Sequence, residues 1–308
     1  MQRIRSAFTA LLMVAAATEA GLSPSASARQ GTNFRSGVTA IEATVMVRDR
    51  RTGRFATNLE KPDLELFDRG QTRPLDGFYA GAAPVSIAVL IDIRERTNST
   101  WRRVREALTL AVDRLRGADE MAIFTLEGGP AEVVGFTTDR DRLRRAKFDS
   151  PPPARRGALG EATTELSNAA AARDNRHRAV LVITDVQDRH DPRTVTTAVA
   201  AMRVPLFILA LIPRELVDQS KVALPSVAPF SGGWESVATD RRPIQVLVLE
   251  FFDTLRSQYV LVFEATPPQG FHALFVQSRR ADVTVVASRR GYLSPVAGGG
   301  PTAETHAR

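Results

Sequence analysis

The feature that most limits what this chain can fold into is an alternation. Short, near-continuous apolar runs take turns with segments whose apolar residues recur at helical spacing. Val85 to Ile91 is such a run, the pattern of a parallel strand covered on both faces. After it, Trp101, Val104, Leu108, Ala111, Val112 and Leu115 fall at helical intervals and mark one buried stripe. Further along, strands are predicted over Met121 to Leu126, Glu132 to Phe136 (an edge), Ala179 to Thr184 and Pro205 to Leu211. Helices are predicted over Arg140 to Lys147, Leu159 to Ala172, Arg193 to Met202 and Ile244 to Leu255, with Pro151-Pro152-Pro153 breaking the chain before the second. The fold class is therefore α/β, a doubly wound, mostly parallel sheet with helices on both faces, over residues 83–256.

The flanks read differently. Val38 to Val47 alternates in the manner of a half-buried strand, Asp49 to Gly53 supplies a turn, and Leu64 to Phe67 is a second short strand, so residues 34–82 form an N-terminal β segment. Past the last helix, Tyr259 to Phe263, 271–277 and 282–287 are strand-like with no helices between them, and so do not extend a parallel sheet. Residues 257–294 are expected to pack with 34–82 as a small discontinuous β subdomain, and 295–308 to form a disordered tail.

At the amino end, Arg3 and Arg5 precede an apolar stretch from Ala7 to Ala17, and Ala26-Ser27-Ala28 follows. That is the plan of a signal peptide over residues 1–28 with cleavage near Ala28, and it implies a periplasmic or secreted protein. The stretch is about half the roughly 20 residues a spanning helix needs, and no transmembrane segment is expected in the mature chain. A hydrophobic content of 44% excludes a chain disordered throughout, and the absence of cysteine excludes both a disulfide framework and thiolate chemistry. The net charge of +7 comes almost wholly from arginine, because only Lys61, Lys147 and Lys221 are lysines. These arginines are interleaved with acids, as in Asp139-Arg140-Asp141-Arg142, so they read as solvated faces and argue against a nucleic-acid partner.

Ligands of open α/β sheets bind outside the carboxyl ends of the strands, where the winding reverses. Asp92 and Asp185 stand at two such ends. Ile91-Asp92, then Ile183-Thr184-Asp185, then Val204 to Ile208, then Ser231-Gly232-Gly233-Trp234 occur in the order and spacing of a von Willebrand factor A (VWA) domain, which the chain resembles over residues 34–294. Asp63 to Gly70 before the domain, with Leu255 to Leu261 and Arg289-Arg290-Gly291-Tyr292 after it, resemble the flanks of exported bacterial VWFA-related proteins of acidobacterial type. In metal-binding members of that family the ion is held by a first-loop DxSxS, a second-loop Thr and a third-loop Asp. By this resemblance Asp92 and Asp185 survive, Arg94 and Arg96 replace both Ser ligands, and Gly157 falls near the Thr position. The metal-binding motif is thus degenerate. Arginine offers cationic donors where Mg²⁺ wants oxygens. A guanidinium within about 5 Å repels a divalent ion by several kcal/mol at an effective dielectric near ~20. No metal and no other cofactor is therefore expected; either Arg94 or Arg96 pairs with the two acids as a built-in cation, or both face solvent.

A competing reading gathers Asp185, Asp188, His190 and Asp191 into a metal-binding loop, the basis of an alternative function as a metal-dependent hydrolase or oxidoreductase. Asp191-Pro192 equally reads as the cap and first residue of the next helix. No G-x-S-x-G, G-x-x-x-x-G-K-[ST] or H-E-x-x-H motif occurs, and His177, His190, His272 and His306 are scattered. The expectation is a non-enzymatic protein-interaction module of adhesion or scaffold type, binding an unidentified envelope protein through the edge loops around Asp92, Arg94, Arg96, Gly157 and Asp185.

Overall fold

A computed structural model describes residues 39–81, 83–93, 97–147, 158–185, 201–211, 227–266 and 268–294. The N-terminal flank supplies β1 (Ala40–Asp49), β2 (Leu64–Asp68), β3 (Gln71–Arg73) and β4 (Gly77–Tyr79). Next come β5 (Val85–Asp92), α1 (Asn98–Arg114), β6 (Glu120–Leu126), β7 (Pro130–Thr137), α2 (Arg140–Arg144), α3 (Ala158–Ala171) and β8 (His177–Thr184). They are followed by β9 (Leu206–Ala210), α4 (Val227–Ser231), β10 (Trp234–Val237) and α5 (Ile244–Ser257). The C-terminal flank adds β11 (Tyr259–Glu264), β12 (Gly270–Ser278), β13 (Val283–Ser288) and β14 (Gly291–Ser294).

Six strands form the central sheet in the order β10-β9-β8-β5-β6-β7. All neighbours are parallel except β7, which runs antiparallel at one edge. This is the doubly wound α/β order, with the reversal of winding between β5 and β8. The apolar run of β5 serves two cores, as its alternation demands. Val85, Ile87, Val89 and Ile91 face α1 and α5, packing with Val104, Leu108, Leu247 and Phe251. Ala88 and Leu90 face the other way, onto Ala162, Leu166 and Ala170 of α3. The stripe read from Trp101 to Leu115 is buried throughout. Helix α1 is capped by Thr97, whose hydroxyl accepts from the Thr100 amide at 3.3 Å.

Three local features depart from the sequence reading or go beyond it. The helix expected over Arg140 to Lys147 ends at Arg144, because Arg145 sits at φ −83°, ψ 0° and only Leu143 is buried to hold it down. The strands of the N-terminal flank do not share one sheet: β1 lies in the order β13-β1-β11-β4, whereas β2 and β3 lie in β14-β12-β2-β3. Strands β2 and β12 bury alternate residues, β11 is buried from Tyr259 to Phe263, and Ala43, Val45, Val47, Leu64, Leu66, Leu261, Phe263 and Tyr292 fill the one core these strands build together. Strand β14, which had no apolar run to announce it, pairs with β12 where Gly291 meets Ala273. A Cβ at Gly291 would stand 2.3 Å from the Phe271 ring and 2.7 Å from the His272 carbonyl, so only glycine lets the chains approach there.

The two flanks pair directly, β1 against β11 from Ala40↔Glu264 to Val45↔Tyr259 and β2 against β12 from Asp68↔Leu274 to Leu64↔Ser278. Among the described residues no helix is long and apolar enough to cross a membrane. The helix predicted over Arg193 to Met202 lies outside the described residues apart from its last two positions, as do residues 1–28 and 295–308.

Candidate functional site

The crevice that the topology creates lies at the carboxyl ends of β5 and β8, which are neighbours at the reversal point. Asp92 is the last residue of β5 and is paired in register with Thr184, the last of β8. Its carboxylate is buried, and the Thr184 hydroxyl donates to Oδ2 at 3.3 Å. Asp185 follows immediately, its amide donating to the Asp92 carbonyl at 3.3 Å. The structure therefore brings Asp92 and Asp185 to one edge. Arg94, Arg96, Gly157, Asp188, His190 and Asp191 lie outside the described residues. Among the described residues no group of three or more His, Asp or Glu side chains is placed to hold a metal ion.

The chain has four histidines, and two of them are described. His177 is buried at the start of β8, and burial holds its imidazole below the ordinary value. His272 belongs to a buried cluster in the C-terminal flank. Its Nδ1 lies 2.9 Å from Asp68 Oδ1, and its Nε2 lies 2.7 Å from the Pro268 carbonyl. Tyr292 donates to Asp68 Oδ2 at 2.9 Å and Thr266 donates to the same oxygen at 2.8 Å. Burial raises the Asp68 pKa, but hydrogen bonds from Thr266, His272 and Tyr292 outweigh it and hold the carboxyl below its ordinary value. The pair has the Asp–His half of a nucleophile-activating relay, yet the outer ring nitrogen is taken by a main-chain carbonyl. The cluster ties β2, β12 and β14 together.

Sequence reasoning missed two further features, because neither has a local signature. Glu235 on β10 places Oε2 in a buried position with no hydrogen-bond partner, and burial pushes its carboxyl up to about 7. It borders a cavity of about 720 Å³ shared with Arg242, Glu250 and Asp253. The second feature is apolar. Phe271 and Phe275 of β12 are 52% and 60% exposed, and Val286 of β13 and Phe230 of α4 stand open beside them. These side chains border a groove of about 550 Å³, at whose rim the Arg290 guanidinium lies 4.7 Å over the Phe230 ring. The period-2 pattern of β12 hid this face, since apolar residues occupy both sides of the strand: Leu274 and Val276 point inward, Phe271 and Phe275 outward.

No protein-family model matches the chain, and no curated protein matches it. Among solved structures it is similar to a von Willebrand factor type A protein from Catenulispora acidiphila, with 10% identity, a TM-score of 0.42, and coverage of 83% of this chain and 74% of the other. It is also similar to VWA2, an ArnB paralog from Sulfolobus acidocaldarius, with 9% identity, a TM-score of 0.41, and coverage of 84% and 76%. A third is the SpRpn10 VWA domain, with 10% identity, a TM-score of 0.41, and coverage of 55% and 94%. These are likenesses of fold, and the fold assignment itself stands on the strand order.

Proposed function

We propose that this chain, which carries a VWA-like α/β domain between antiparallel flanks, is a non-catalytic protein-interaction module of the cell envelope that works without a metal ion. The observation that carries the reading is the open groove between β12 and β13, bordered by Phe230, Phe271, Phe275 and Val286. Contiguous apolar surface of this kind on a folded domain marks a contact site, because leaving it in water costs about 25 cal/mol per Å². Arg290 at its rim and the net charge of +7 match a partner that presents apolar side chains flanked by acids. What supports metal independence is the chemistry of Arg94 and Arg96, which stand where the family that the chain resembles places hydroxyl ligands. The envelope address rests on the leader-like residues 1–28.

Two measurements test the proposal. Millimolar Mg²⁺ or Mn²⁺ is expected to leave the melting temperature unchanged, since a metal bound only by the folded state would raise it. Crosslinking in an envelope fraction is expected to yield one dominant partner, which is lost on Phe271→Ser plus Phe275→Ser while the melting temperature holds. A clear metal-induced stabilisation, or stoichiometric bound metal abolished by Asp188→Ala and His190→Ala, would transfer the assignment to the metal-dependent hydrolase or oxidoreductase. A partner captured equally by the Phe variant would remove the groove from the proposal.

A further inference from the structure

At the end of the sheet opposite Asp92 and Asp185, where β8 begins, the central domain meets the flanking sheets around a cavity of about 480 Å³. That volume is within the range of sites that take small molecules, roughly 300–1,000 Å³. Four guanidiniums border it, those of Arg176, Arg178, Arg203 and Arg289, against the single carboxylate of Glu42. Glu42 is shared: Arg176 reaches its Oε1 at 3.1 Å and Arg178 bonds its Oε2. Among the described residues no acid lies within ion-pair distance of Arg203 or Arg289, so the site holds an excess of positive charge.

Two of the arginines are built into the protein. Arg289 is 7% exposed and donates only to main-chain carbonyls: Gly291 at 3.0 Å, Glu42 at 2.9 Å and Met202 at 2.7 Å. Those bonds orient the guanidinium without neutralising it, and burial, reinforced by the Arg203 charge, lowers its pKa to about 10. Arg178 is 8% exposed. Its terminal nitrogens serve Ala171, Arg173 and Glu42, while its Nε–H is buried with no partner. A buried donor without an acceptor costs about 1–3 kcal/mol. A cleft lined by one sign of charge between low-dielectric walls concentrates ions of the other sign. Apart from Thr39 the remaining lining is mostly apolar, with Ile41, Val262, Tyr292 and Leu293 the largest side chains.

From this arrangement we infer that the cavity between β1, the start of β8 and the β13–β14 turn is a binding site for a small organic anion, a carboxylate or phosphate head on an apolar body. The head meets Arg176, Arg178 and Arg203, with Arg289 as a fixed charge behind them, and the body rests on Ile41, Val262 and Leu293. The site is lined by different residues from the groove between β12 and β13, Arg289 here against Ser288 and Arg290 there, and does not depend on the partner proposed for that groove.

Isothermal titration of the full chain with phenyl phosphate, benzoate, inorganic phosphate and benzyl alcohol tests the inference. Phenyl phosphate or benzoate is expected to bind saturably at one site per chain, more tightly than inorganic phosphate, and more weakly as salt is raised; the uncharged alcohol is expected not to bind. The two aromatic anions distinguish a phosphate from a carboxylate head. Arg203→Ala and Arg176→Ala alter solvent-facing side chains and are expected to weaken binding at least about tenfold with the melting temperature retained. Arg242→Ala, in the separate cavity beside Glu235, is the control and is expected to change nothing. The inference is overturned if no anion binds below about 10 mM, or if neither Arg203→Ala nor Arg176→Ala changes the affinity.

Discussion

Glu235 is a residue whose chemistry departs far from its sequence context. In Trp234-Glu235-Ser236-Val237 nothing distinguishes it from a solvated strand glutamate, yet burial lifts its carboxyl from the ordinary 4.5 to about 7. The sign of the consequence follows from linkage. Between pH 4.5 and about 7 the unfolded chain releases this proton while the folded protein retains it, so stability present below pH 4.5 is lost as pH rises through that window and then levels off. Glu235→Gln preserves the shape of the protonated acid and is expected to flatten this part of the profile and to raise stability at pH 8. Urea midpoints of both proteins at pH 4.5, 6 and 8 check it; parallel profiles would show that the carboxyl is already ionised in the fold.

At the scale of elements, the junction between α4 and β10 holds the closest glycine contact among the described residues. Ser231-Gly232-Gly233 makes this junction, and the structure supplies the reason for each residue. The Ser231 hydroxyl accepts from the Leu206 amide at 2.8 Å and donates to the Ala228 carbonyl at 2.7 Å. Gly232 adopts φ +93°, a region that side chains disfavour. A Cβ on Gly233 would stand 1.9 Å from the Leu206 carbonyl oxygen, which belongs to the neighbouring strand and cannot move without breaking β9 from β10. Gly233→Ala is therefore expected to cost more than about 3 kcal/mol, read as a fall in the denaturation midpoint or a failure to accumulate folded protein. A variant of wild-type stability would mean that β10 can shift outward freely.

For the whole molecule, the central question is what holds the flanks together across some two hundred residues of chain. Tyr259 is one answer. Its buried hydroxyl donates to the Ala56 carbonyl at 2.7 Å and accepts from the Leu59 amide at 3.0 Å, fixing the irregular N-terminal segment to β11. Tyr259→Phe strands both main-chain groups and is expected to cost about 2 kcal/mol, with hydrogen exchange accelerated at Leu59 and anion binding at the arginine cavity unaffected. Uniform loss of protection across the central sheet instead would mean that the flank and the domain unfold as one unit.

Periodicity alone determined most of the architecture. Runs such as Val85 to Ile91 and stripes such as Trp101 to Leu115 are local patterns, and a strand or helix must bury the face its own residues make apolar, so the doubly wound parallel sheet and the separation of the flank strands from it were both legible. So was the meeting of Asp92 with Asp185, since strand ends at the reversal point are neighbours by topology. What the sequence could not reveal depends on distances between remote segments. Arg176, Arg178 and Arg203 look like ordinary solvated charges until folding sets them beside Glu42 and Arg289, and Phe271 looks like a core residue until β12 turns it outward. Burial and unbalanced charge are properties of the surroundings, and for these residues only the tertiary structure supplies the surroundings.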